Sequence, residues 1–220
     1  MSPWRGDIDW QQVAAGLWTV DGREGRLFTF ASLKCSGADA HGGLADWWSR
    51  EAPQAKASGI PLLFGCHRLH IGDVAAQVEE FVAAMQAGFG GYVGHGVHLD
   101  AEAADPTTIL EFMARWNDRT QGYPIAGYTP RWKMNQWPDN DLPSYGFAGW
   151  WASRYVAGSG SATDLLATVP VEFWAPYDGV DPALLQYSAD AVVPGVNPPT
   201  DVNVFRGELG ALRAIVTRDR

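Results

Sequence analysis

The 220-residue sequence predicts an α/β domain with a largely parallel sheet, of the (β/α) barrel kind, growing irregular in its final third. Three observations predict it. Extended and helical patterns alternate along most of the chain, the order imposed by parallel strands joined through helical crossovers. An acidic pair, Asp100 and Glu102, falls between an extended run and a helical one, and in (β/α) barrels that connection lies on the face carrying active sites. In the last third the extended runs are no longer separated by a convincing helix. No linker rich in Pro, Ser and Gly divides the chain, so residues 1–220 read as one domain able to bury a sizeable core.

Taken in order, "DWQQVAAGL" opens at a capping Asp9 and repeats Trp10, Val13 and Leu17 at helical spacing. "RLFTFASLKC" and "GIPLLFGCHR" read as buried strands, and between them "GLADWWSREAPQAKASG" is an amphipathic helix interrupted at Pro53. "DVAAQVEEFVAAMQAG" gathers Val74, Val78, Phe81, Val82 and Met85 on one face and stops at Gly88, the clearest helix in the chain. "DPTTILEFMARWNDRTQG" starts with Asp105 as cap and Pro106 in the first helical position, then repeats Ile109, Phe112, Met113 and Trp116. "YPIAGYT", "YGFAGWWAS", "VEFWAPY" and "ALLQYSA" read as strands.

Composition narrows the classes of partner. A net charge of −9 with scattered basic residues argues against nucleic acid, because phosphate binding needs clustered Lys and Arg. No apolar run reaches the ~18 residues that read as a membrane span. The opening "MSPWRGDIDW" has neither the basic nor the apolar region of a secretory signal, so export would take another route. Cys35 and Cys66 each end an apolar run; buried free thiols are expected, since a domain of this size needs no staple, with a single bridge as the alternative.

The stretch "GVHLDAEAAD" holds the strongest chemical signal. Residues two apart in a strand share a face, with Cα atoms roughly 6.5–7 Å apart, so one substrate can touch both carboxyls of Asp100 and Glu102. Carboxyls forced together in a pocket repel, one keeps its proton, and general acid catalysis becomes available. The plainer alternative, acids capping the next helix, competes with Asp105, which already fills that cap. His67/His70 and His95/His98 repeat an H-x-x-H spacing, but no third ligand stands at a recognised offset, so these read as barrel-lining or structural histidines and no metal is expected. Of the eleven Trp, Trp10, Trp116 and Trp150 fall on apolar faces. Trp132 and Trp137 fall in a polar connection beside Asn and Asp, a setting in which a ring forms a platform for the C–H face of a sugar. "GFGGYVGHG" matches neither nucleotide-binding glycine pattern, and no cofactor is implied.

In this order the motifs resemble those of glycoside hydrolase family 25 lysozymes over nearly the whole chain. "WRGDIDWQQV" is similar to the family's opening, "LFTFASLKCSG" to its second strand, and "ASGIPLLFGCHRLH" to the next, with His67 in the place of the family's His. "HLDAE" matches its Asp-x-Glu signature, and "YPIAGYT", "GWWASRY", "LLQYS" and "TDVNVFRGELGAL" resemble its later strands. The resemblance implies an irregular TIM-like (β/α) barrel with fewer helices than strands, and cleavage of the β-1,4 bond between N-acetylmuramic acid and N-acetylglucosamine in a peptidoglycan glycan strand. It makes Glu102 the proton donor and Asp100 the partner of the substrate's 2-acetamido group, with Asp201, Tyr128, Tyr155, Gln186 and His67 lining the cleft. A wall-lytic enzyme carried by a bacteriophage, in a virion or as an endolysin, is the setting such a chain suggests.

Three departures from the family accompany the match. Its first-strand Asp would precede Ser2, its Tyr-His-Phe triplet is Cys66-His67-Arg68, and its Glu after the second strand is absent near Gly37. They open a second class, a carbohydrate-binding or structural barrel that has lost turnover; a third, a metal-dependent deacetylase of the same polymer, would need the histidines as ligands.

Overall fold

The structure, a computed structural model, describes residues 6–20, 23–37, 43–137 and 142–218. The first-strand departure at Met1 and Ser2 lies outside them. A short helix α1 (Trp10–Ala15) leads into a hairpin of β1 (Leu17–Val20) and β2 (Arg23–Arg26). The main sheet then builds through β3 (Phe30–Gly37), α2 (Leu44–Ala57), β4 (Leu62–His70), α3 (Val74–Phe89), β5 (Gly96–Ala103), α4 (Pro106–Thr120) and β6 (Ala126–Tyr128). It continues with α5 (Arg131–Met134), β7 (Gly149–Ser153), β8 (Gly160–Ser161), α6 (Ala162–Ala167), β9 (Pro182–Val192), β10 (Thr200–Phe205) and α7 (Leu209–Val216).

The strands lie in the order β10, β9, β7, β6, β5, β4, β3, with β8 added against β9. From β3 to β9 they run parallel, and β10 returns antiparallel. The sheet curls but β3 and β10 stay unpaired edges, which corrects the TIM-like expectation: this is an open half-barrel. The cause lies after β6. Three long helices, α2, α3 and α4, cover β3 to β5, whereas the later crossovers carry helices of four and six residues, and β10 arrives through a loop. Among the described residues seven α-helices accompany ten strands, as expected.

Alternation along the strands divides the core. One face of the sheet buries Leu33, Leu63, Val97 and Leu99 under α2, α3 and α4, with Phe81, Met85, Phe112 and Trp116. The concave face holds Phe64, Tyr128, Trp151 and Leu184, closed from one end by Leu212 and Val216 of α7. That end is where the parallel strands begin: Ile215 lies against Gly149, and Arg213 donates to the carbonyl of Pro61. The other end stays open.

Several local expectations change. Gly88 lies inside α3, where the Trp48 indole packs so close that an added Cβ would stand 2.3 Å from its ring, and the helix ends at Gly90 in the left-handed region. Pro53 leaves α2 unbroken, since it sits on the solvent face and costs one backbone hydrogen bond. Leu17 is an exposed strand residue. "VEFWAPY" forms a 3-10 turn, Val171–Trp174, because Pro170 and Pro176 bracket it and cannot donate to a ladder. Cys35 and Cys66 are buried free thiols, Cys35 Sγ donating to the Cys66 carbonyl.

Candidate active site

The concave face carries a cavity of about 310 Å³ at the open end, toward which the parallel strands point their C-termini. Register assembles its wall. Arg68, Asp100, Tyr128 and Trp151 stand directly opposite one another across β4, β5, β6 and β7, and Ser153, Gln186 and Asn203 continue across β7, β9 and β10. Opposed residues in a sheet share a face, so one row delivers a cation, an acid, a phenol and an indole to one cleft. Two positions further along β5, Glu102 joins them.

Six of the residues singled out from sequence line this cavity: Asp100, Glu102, Tyr128, Tyr155, Gln186 and Asp201. The other three do not. His67 is fully buried on the opposite face, stacked between Phe81 at 5.2 Å and Phe112 at 5.5 Å, with Nδ1 bonded to Ser36 Oγ at 2.9 Å. It is a packed structural histidine, because it follows Cys66 in the strand and points the other way. Trp137 is buried against Tyr145 and offers no platform. Trp132, on α5 just past the C-terminal end of β6, is 61% exposed.

The electrostatics centre on the acidic pair. Asp100 Oδ1 accepts the Glu102 backbone N–H at 3.2 Å, and Glu102 Oε1 accepts Arg68 Nη2 at 2.8 Å. Burial, then the neighbouring Glu102 charge, push the Asp100 carboxyl up to about 7, while Arg68 opposes the rise. Tyr155 donates to Gln186 Oε1 at 3.2 Å, and burial raises the titration of both Tyr155 and Tyr128, so these phenols stay protonated donors.

Of the cleft floor, sequence reasoning read His98 as a barrel-lining or structural histidine and passed over Trp151, Asn203, Lys34 and Thr200. His98 stacks on Trp151 at 4.3 Å, shares a 3.0 Å hydrogen bond with Ser32, and is held neutral by burial, which lowers it to about 3. Trp151 donates to Asn203 Oδ1 at 2.9 Å. Lys34, Arg68 and Thr200 also reach the cavity. Strand parity was the available signal: Arg68 shares a face with Cys66, and His98 with Asp100. Among the described residues no three His, Cys, Asp or Glu side chains converge as metal ligands, and no helix is long and apolar enough to cross a membrane.

No protein-family model matches the chain, and no curated protein does. Solved structures do. A bacterial lysozyme from Streptomyces coelicolor superposes with a TM-score of 0.65 at 21% identity, over 98% of this chain and 94% of that one. The modular autolysin LytC from Streptococcus pneumoniae superposes with a TM-score of 0.62 at 12% identity, over 93% of this chain and 45% of that one. This chain shares the fold of a bacterial lysozyme and of part of a modular autolysin.

Proposed function

We propose that the chain is a peptidoglycan hydrolase of the family 25 lysozyme type, cleaving the β-1,4 bond between N-acetylmuramic acid and N-acetylglucosamine. The observation that carries this reading is the position of Asp100 and Glu102: one face of β5, at the open end of a lysozyme-like half-barrel, within a cleft ringed by Tyr128, Tyr155, Gln186 and Asp201. In this reading the substrate's own acetamido oxygen attacks C1, and Asp100 accepts its N–H and holds it in line. Glu102 protonates the leaving O4, then takes a proton from the water that opens the intermediate. Tyr128, Tyr155 and Gln186 hydrogen-bond hydroxyls, and Trp132 stacks on a sugar beyond the scissile bond.

The test is digestion of purified peptidoglycan followed by reduction of the new ends. Muramitol ends support the assignment, glucosaminitol ends shift the bond, and binding without new ends makes this a carbohydrate-binding barrel. Glu102→Gln keeps shape and loses the acid, so turnover falls by about 10²–10⁴-fold with the fold intact. A variant as fast as the parent removes Glu102 from the role.

A further inference from the structure

Arg68 puts a cation where the proposed reaction needs a protonated acid. Its backbone is fixed: Gly37 at φ +90° passes so close that a Cβ there would stand 2.2 Å from the Arg68 carbonyl oxygen. The strand register shifts just beyond it, between Arg68 and His70. Movement is left to the side chain. Its Nη2 bonds Glu102 at 2.8 Å, while its Nε stops 3.8 Å from Asp100 Oδ2, beyond hydrogen-bond reach. That Nε–H is buried and has no partner, and buried donors without acceptors are uncommon. The acceptor it lacks is the neighbouring Asp100.

One cation facing two close carboxyls leaves one proton to be shared, because both do not ionise side by side in a partly dried cleft. The cation decides which carboxyl keeps it. With Arg68 on Glu102, the proton rests on Asp100, the deeper of the two at 19% side-chain exposure against 29%. Turnover as proposed above needs the reverse order, an ionised Asp100 and a protonated Glu102.

We propose that Arg68 is the positioning residue that exchanges these two states: it leaves Glu102 for Asp100, and the proton passes from Asp100 to Glu102. The exchange balances, with one proton, one carboxylate and one guanidinium before and after. It closes the 3.8 Å gap and satisfies the orphaned Nε. The resting half stands on geometry alone, and the working half rests on the hydrolase reading. The raised titration of Asp100, to about 7, agrees with the resting half. Around the pair, Cys66 on β4, His98 on β5, Tyr128 on β6 and Tyr155 after β7 all hold their neutral forms because burial shifts each away from its charged state. Lys34 on β3 opposes the rise at Asp100, and Asp201 enters from β10.

The experiment follows the Asp100 carboxyl by NMR in the full chain labelled with carboxyl-13C aspartate, its signal assigned by loss in Asp100→Asn, beside steady-state kinetics on peptidoglycan. In the parent, Asp100 is protonated at pH 5 and ionises near neutrality; an ionised Asp100 at pH 5 overturns the proposal without any variant. Arg68→Met moves that titration upward by about one pH unit. It lowers kcat at least tenfold with KM little changed, and the alkaline limb of kcat/KM moves up with the titration. Arg68→Lys restores the titration and part of kcat. An unmoved titration and pH profile with a lowered Tm makes Arg68 a structural ion pair, and a raised KM at unchanged kcat makes it an anchor for a substrate anion; either result overturns the exchange. If no reducing ends form with any peptidoglycan, the hydrolase reading fails by itself, and the NMR arm still decides the resting arrangement.

Discussion

Replacing Asp100 by Asn makes the protein more stable at pH 8 and leaves it unchanged at pH 4. The folded protein holds the Asp100 carboxyl at about 7 against an ordinary value of 3.8, chiefly through burial and then through the Glu102 charge. A carboxyl whose folded value lies above its unfolded one stabilises the fold while protonated. That contribution is complete below about pH 4 and is lost as the pH rises through the folded value. At 1.36 kcal/mol per pH unit the gap sets a ceiling of about 4 kcal/mol. The 19% exposure of the side chain screens it, and about 1–2 kcal/mol is expected. Asn keeps the oxygen that accepts the Glu102 N–H and carries no charge at either pH. Urea unfolding of parent and variant at both pH values reads the effect, with a Tm shift of about 2–4 °C per kcal/mol at this chain length. A variant that is equally or less stable than the parent at pH 8, or a difference identical at both pH values, refutes the placement of Asp100 in a dried, like-charged site.

Three further outcomes follow from other parts of the molecule. Gly37→Ala forces a side chain to φ +90° and against the Arg68 carbonyl, so it destabilises by about 2 kcal/mol or more, read by denaturant unfolding. Trp137→Ala, in the core, costs about 3–5 kcal/mol by the same measurement, whereas Trp132→Ala, 61% exposed, changes stability by less than about 0.5 kcal/mol and raises KM on the polymer. A chain of net charge −9 meets an anionic wall across a Debye length of about 10 Å at 0.1 M salt, so turnover of whole walls rises between very low and moderate ionic strength while turnover of a short neutral oligosaccharide does not.

Legibility followed periodicity. The helices α3 and α4 were readable because of their apolar spacing, to which α4 adds the Asp105 cap and Pro106. The acidic pair was readable because strand geometry puts residues two apart on one face. Closure was not readable: whether β3 meets β10 depends on crossover geometry after β6, and the antiparallel return of β10 leaves no mark in its own sequence. His67 and Arg68 show why the site was only partly legible. They are adjacent in sequence, so parity sends one beneath α3 and the other into the cleft, and a family-like triplet drew attention to the first. Trp137 and Trp132 share a polar segment, and only tertiary packing separates a core indole from an exposed one.

The failure of the sheet to close shapes the candidate site. Phe28, Phe30 and Asn203 line the cavity of the candidate site and also a second hollow of about 140 Å³ that continues between the β3 and β10 edges, bounded by Leu27, Val204 and Phe205. A paired seam would fill this space with a hydrogen-bonded ladder and reduce the site to a mouth at one end of a barrel. The open seam instead leaves an apolar hollow beside the polar row of the site, on the side where β3 begins and β10 ends. The short crossovers after β6 therefore do two things at once: they leave the sheet unsealed, and the strands they lead to bring Tyr155, Gln186 and Asp201 into the same cavity as Arg68, Asp100 and Glu102.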